Sequence, residues 1–170
     1  MKSPVKVFCL LSLCALLGAG AALEASVVSL SPAAFRPADY WPASLNWYTH
    51  GDALYLDASP DATVFIATLQ LPNEVLFKKF TAYVTVGTGA GVDDELYVVL
   101  ERYNLSSGAR DTLASLFSAG LPLSPNRQAL STSAISFKKV NDFGYVYDVI
   151  VVFHSSSTSE IKFNGVRIEY

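Results

Sequence analysis

The residues of this sequence best equipped to hold a ligand are its aromatics. Tyr40, Trp41, Trp47 and Tyr48 crowd one segment, and Tyr83, Tyr97 and Tyr103 recur at positions that an alternating strand turns outward. Such rings offer a flat apolar face and, for Tyr and Trp, a polar handle. Beside carboxylates and amides they suit the pyranose ring of a sugar. The same side chains also serve structure, because tyrosine fits a half-buried pleated surface and the first group could plug an open end of a sandwich. Tyr83, Tyr97, Tyr103, Trp41 and Trp47 are the candidate ligand-binding residues.

Chemistry beyond binding finds little footing. Carboxylates gather at Asp93, Asp94 and Glu95 and at Asp52, Asp57 and Asp61. Several such oxygens suit calcium, so Asp93, Asp94 and Glu95 are weak calcium candidates, although the spacing of a calcium loop is missing. A carboxylate pair at the right separation could hydrolyse a glycosidic bond, which keeps a small hydrolase or lyase as the enzymatic alternative. His50 and His154 form no His-x-x-x-His pair. No serine sits in a Gly-x-Ser-x-Gly elbow, and a triad drawn from His154, Asp148 and one of many serines is arbitrary. The loop Gly87-Thr88-Gly89-Ala90-Gly91 has Val92 where a dinucleotide fingerprint needs its third glycine, and no helix follows it to present amides to phosphate. No catalytic residue, transition metal or organic cofactor is assigned. Asn104-Leu105-Ser106 is a glycosylation acceptor sequence at a strand end.

The elements that must position these residues are strands. Period-two alternation rich in Val, Ile, Thr, Tyr and Phe is broken by Gly, Pro, Asn and Ser clusters. It predicts strands at 53–57, 62–71, 75–86, 94–104, 111–117, 129–137, 144–154 and 159–170. Short strands at this spacing mean a sandwich or barrel, since a sheet with one apolar face must bury it against another. The expected fold is all-β, a single antiparallel sandwich of jelly-roll type. Both faces of 145–154 are largely apolar, which predicts a central strand covered on both sides for most of its length.

Two hairpins follow from pattern and turn chemistry. Asn164-Gly165 tolerates the positive φ angles of a two-residue turn, which sets Phe163 opposite Val166 and Ile161 opposite Ile168 on one face. Around the glycine-rich loop, Phe80, Ala82, Val84 and Val86 face the same way as Leu96, Val98 and Leu100. Pairing Val84 with Leu96 then places Tyr83 opposite Tyr97 and Lys79 opposite Glu101 on the outer side.

The first residues read as an export signal. Lys2 and Lys6 precede an apolar run from Val7 to Ala22, which ends in small residues that fit cleavage after Ala21 or Ala22. The run has 16 residues, short of the roughly 20 that a spanning helix needs. Taking 1–22 as signal leaves 23–170 as one domain of ordinary size. Cys9 and Cys14 leave with the signal, so the mature chain forms no disulfide. Ten basic and fifteen acidic residues then remain, a net charge of −5. An acidic chain lacks the basic surface that nucleic acid requires, and no second long apolar stretch anchors it in a membrane.

Asn164-Gly165-Val166-Arg167-Ile168-Glu169-Tyr170, with Leu100-Glu101-Arg102-Tyr103-Asn104-Leu105 and Pro72-Asn73-Glu74, resembles short secreted bacterial β-sandwich proteins. The resemblance implies a bacterial origin and a sandwich or jelly-roll fold, and no particular activity. The expected architecture is also similar to that of carbohydrate-binding modules, an analogy of fold. The chain is thus expected to be a secreted, non-catalytic protein with a binding or structural role, its partner a glycan or a surface or matrix protein. A carbohydrate-binding module using exposed aromatics is the sharper alternative.

Overall fold

The computed structural model describes residues 26–38, 47–50, 52–56, 63–91, 94–154 and 160–170, with the backbone alone at 47–50 and 56. The expected signal segment lies outside them. Two antiparallel sheets pack face to face. The first contains β1 (Val27–Leu30), β3 (Trp47–His50), β4 (Ala53–Leu56), β6 (Lys79–Val86), β9 (Ser124–Thr132) and β11 (Ile161–Glu169). Its order is β3-β4-β11-β6-β9, with β1 pairing the C-terminal half of β11. The second contains β2 (Arg36–Pro37), β5 (Thr63–Leu69), β7 (Glu95–Asn104), β8 (Arg110–Phe117) and β10 (Tyr145–His154), in the order β2-β5-β10-β7-β8. From β4 onward the chain changes sheet at every connection except the β7–β8 hairpin, the habit of a jelly roll. Among the described residues no helix is long and apolar enough to cross a membrane.

The core lies where the inward positions of the two sheets meet. Phe80, Ala82 and Val84 of β6 enter it from one side, and Leu96, Val98 and Leu100 of β7 from the other. Phe35 meets Phe163 edge-on at 4.8 Å, and Phe65 meets Phe153 at 5.8 Å. Each fully buried side chain of this size contributes about 1.5–3 kcal/mol through removal from water. β10 takes the expected central place between β5 and β7. Its inner residues are buried, but Val146, Asp148, Ile150 and Val152 on the other face are only half-buried. The second cover expected there is partial.

Both expected hairpins give way to other pairings. β6 and β7 share no edge. β6 is flanked by β11 and β9, and β7 by β10 and β8, so neither strand has an edge left for the other. Their inward sets are in phase because they face each other across the core. Lys79 consequently pairs with Glu169, and Glu101 with Asp148 and Thr112.

The Asn164-Gly165 turn is replaced by a bulge within one continuous strand. Phe163 pairs with Val84 and Gly165 with Tyr83, leaving Asn164 as the extra residue. Gly165 has φ +119°, and a Cβ there would stand 2.7 Å from the Leu30 carbonyl oxygen. Glycine alone suits that position.

Two boundaries move. The strand expected from 75 begins at Lys79, because Val75–Lys78 is a loop bridged through Leu76 to Lys139. The strand expected at 129–137 runs Ser124–Thr132 and stops before the positive φ of Phe137. Pro125 is accommodated because β9 is an edge strand, where a missing N–H leaves no ladder bond broken.

Candidate functional site

The outer face of the first sheet carries a row of concavities. Both neighbours of β6 are irregular along the same stretch. β11 bulges at Asn164, and β9 shifts register between the pairs Val84–Gln128 and Val86–Ser124. Three depressions open there. One of about 420 Å³ is lined by Asp52, Tyr55, Thr85, Pro125, Arg127, Lys162 and Asn164. A second, about 460 Å³, shares Arg127 and Asn164 and adds Tyr83, Gly165, Arg167 and Ser29. The third, about 230 Å³, shares Thr85, Pro125 and Lys162 and reaches Gly87, Thr88 and Glu160. They adjoin through these shared residues and form a trough-like row across β11, β6 and β9.

The floor is polar and fixed. Thr85 is nearly buried although it sits on the outer side, and its hydroxyl donates to Asn164 Oδ1 at 3.0 Å. Asn164 Nδ2 in turn reaches the Asp52 carbonyl oxygen at 3.4 Å. This relay ties β6 to β11 and to the turn before β4.

Two tyrosines stand in the trough, Tyr55 from β4 and Tyr83 from β6. Each has a cation above its ring: Lys162 Nζ lies 5.9 Å from the Tyr55 centroid, and Arg127 Cζ lies 5.2 Å from that of Tyr83. At the mouth, the Gly89 N–H donates to Glu160 Oε2 at 3.2 Å. A Cβ on Gly87 would strike that carboxylate at 1.9 Å. The glycine-rich loop is therefore shaped to close on Glu160, which accounts for glycine where a phosphate cradle could be imagined.

The candidate residues divide between the two sheets. Tyr83 lines the trough. Tyr97 lies on the outer face of the second sheet, paired with Phe117 and Val152, so the two tyrosines are not cross-strand neighbours. Its ring meets Phe117 edge-on at 4.9 Å and approaches His154 at 6.0 Å, and its hydroxyl donates to the Glu95 carboxylate. That bond raises the Tyr97 pKa above its ordinary value, aided by burial and by the Glu95 charge. Tyr103 is on the same second sheet, opposite Arg110. One platform of Tyr83, Tyr97 and Tyr103 is thus excluded by topology. Trp47 lies in β3, but its side chain, like the whole of Trp41, is outside the described residues.

The acidic candidates are also dispersed. Asp94 Oδ2 accepts the Gly91 N–H at 2.6 Å, Glu95 holds Tyr97, and Asp93 lies outside the described residues. Among the described residues no three His, Cys, Asp or Glu side chains gather as a metal site. A carboxylate pair does exist: Glu101 and Asp148 are cross-strand neighbours on the second sheet. Glu101 accepts from Arg110 at 2.9 Å and Asp148 from Thr68 at 2.7 Å, and neither lines any of the three depressions. The pair is built into the sheet surface. Sequence reading missed Tyr55, Arg127, Lys162 and Asn164. Tyr55 sits at an outward position of an expected strand, but nothing in the local pattern places it beside β11.

No protein-family model matches the sequence, and no curated protein matches it either. Among solved structures it is similar to a xylan-binding module, CBM15, with a TM-score of 0.52 and 15% identity over 85% of this chain and 96% of that one. It is also similar to part of the Clostridium thermocellum endo-1,4-β-D-xylanase 10B CBM22-1–GH10 modules, solved with xylohexaose. There the TM-score is 0.53 and the identity 9%, over 83% of this chain and 28% of that one. The chain has the β-sandwich fold of these modules. At such identities the likeness establishes fold alone.

Proposed function

We propose that the protein is a non-catalytic, secreted binding module that holds a polysaccharide along the outer trough of its first sheet. The observation that carries this reading is the placing of Tyr55 and Tyr83 in adjoining depressions of one sheet face, on either side of the Thr85–Asn164 relay. Aromatic rings supply apolar contact area to a sugar, and amide and hydroxyl groups between them fix its orientation. A trough open along its length admits a chain rather than a single small molecule. The neighbouring xylan-binding module has the same architecture, but the choice of face rests on the residues of this chain.

The test is titration of the purified protein with xylan, cello-oligosaccharides and a polyuronate, by calorimetry or affinity electrophoresis. Wild type should bind at least one, and Tyr55→Ala combined with Tyr83→Ala should abolish binding while the protein stays folded. Failure of the wild type to bind any of these polymers, or full binding by the double variant, would refute the reading.

A further inference from the structure

The side-chain charges at the centre of the trough are cations, on an acidic chain. The whole sequence carries a net charge of −3, yet Lys162 and Arg127 both line the 420 Å³ depression. They come from β11 and β9, the two strands that flank β6, so they stand on opposite sides of the Thr85 floor. Neither makes an ion pair among the described residues, as is also true of Arg36, Lys78, Lys79 and Lys138 outside the trough. Among the described residues the partners of the two trough cations are the rings of Tyr83, 5.2 Å from Arg127, and Tyr55, 5.9 Å from Lys162, the latter near the outer limit of about 6 Å for a cation–π contact. Such loose contacts are readily exchanged for an anion. Two carboxylates share the trough. Glu160 is held by the Gly89 N–H, and Asp52 sits exposed on the turn at the rim.

We infer that the polysaccharide held in this trough is an acidic one, with its carboxylates seated between Lys162 and Arg127. The inference rests on the trough being the glycan site and adds the charge of the ligand. Carboxylate is the chemistry these groups recognise, because guanidinium and ammonium donors form charge-assisted bonds to it that are stronger than neutral ones. Release of the two cations from their rings also uncovers aromatic surface for the sugar. The net negative charge of the chain opposes non-specific adhesion to polyanions, so attraction has to be local.

The experiment compares polygalacturonate with the same polymer after chemical reduction of its carboxyl groups, at low and high salt. The charged polymer should bind about tenfold more tightly, a preference equivalent to about 1.4 kcal/mol. High salt should shrink that preference. Arg127→Gln with Lys162→Gln should remove the preference for the charged polymer while leaving the melting temperature in place. Lys78→Gln with Lys138→Gln, a double change outside the trough, should leave it intact. Equal binding of the two polymers, or equal loss from both double variants, would overturn the inference and leave neutral-glycan binding standing. Absence of binding to either polymer, to xylan and to cello-oligosaccharides would bring down the glycan site itself.

Discussion

Phe163 and Val166 stand three positions apart in β11, and both point into the core. In an uninterrupted strand an odd separation puts two side chains on opposite faces. Asn164 absorbs the extra position, so Val166 and Ile168 remain in phase with Ile161 and Phe163. The same bulge leaves the Asn164 amide on the outer side and sets Gly165 beside Tyr83. One irregularity thus keeps the core closed and opens the trough.

Gly165→Ala should therefore be costly. The backbone is at φ +119°, and the new methyl would meet the Leu30 carbonyl oxygen. Strain of this kind amounts to about 1–3 kcal/mol. It should appear as a lower urea midpoint at an unchanged m-value. An unchanged midpoint would mean that β11 does not pass Leu30 as described.

Thr63 offers the opposite case. It is 1% exposed, and its hydroxyl has no hydrogen-bond partner among the described residues. A buried unsatisfied hydroxyl carries a desolvation penalty of about 1–3 kcal/mol, which an isosteric methyl removes. Thr63→Val should be neutral or stabilising, and Thr63→Ser, which keeps the hydroxyl and loses the methyl, should destabilise. Denaturant unfolding of the pair decides it: a loss on Thr63→Val would show that the hydroxyl is satisfied.

The phase of the strands from β4 onward was legible in the sequence because period two survives any choice of partner, whereas β1, β2 and β3 have no counterpart among the expected strands. Phe80, Ala82 and Val84 are inward whether β7 pairs beside them or faces them across the core. Partner choice was not legible, since it depends on which edges are already filled by distant segments. The spacing Phe163 to Val166 illustrates the limit: a two-residue turn and a one-residue bulge both place the two side chains on one face. The trough inherits that difficulty. Tyr55, Tyr83, Lys162 and Arg127 come from four strands that only the sheet order brings together. Tyr83 and Tyr97 share a local pattern and end on different sheets.

Glu101 should give stability a measurable pH dependence. Burial raises its pKa above the ordinary 4.5; Arg110 pulls it back and the Asp148 charge adds to the rise. A raised value means that the folded protein holds the proton more tightly than the unfolded chain does. Its contribution is fully present below the unfolded pKa and is lost as pH rises through the folded one. Glu101→Gln should abolish this component, so its stability relative to wild type should fall as the medium is acidified toward pH 4.5. A difference that stays constant over that range, measured by denaturant unfolding, would show that Glu101 titrates normally.

The two outward tyrosines should answer to different assays. Tyr83 stands between Gly165 and Ala129, neighbours that give its ring little lateral packing. Tyr83→Ala should cost little stability while weakening polysaccharide binding by about 1–3 kcal/mol, the range found when aromatic rings are removed from beneath stacked bases. Tyr97 is packed edge-on against Phe117, lies near His154 and donates to Glu95. Tyr97→Ala should lower the melting temperature and leave the affinity unchanged, because its sheet faces away from the trough. The Tyr97 bond has its own signature, since its hydrogen bond to Glu95 holds the phenol pKa above its ordinary value. The corresponding component of an alkaline titration should vanish in Tyr97→Phe. If Tyr97→Ala weakened binding and Tyr83→Ala did not, the ligand would lie on the second sheet, and the trough would not be its site.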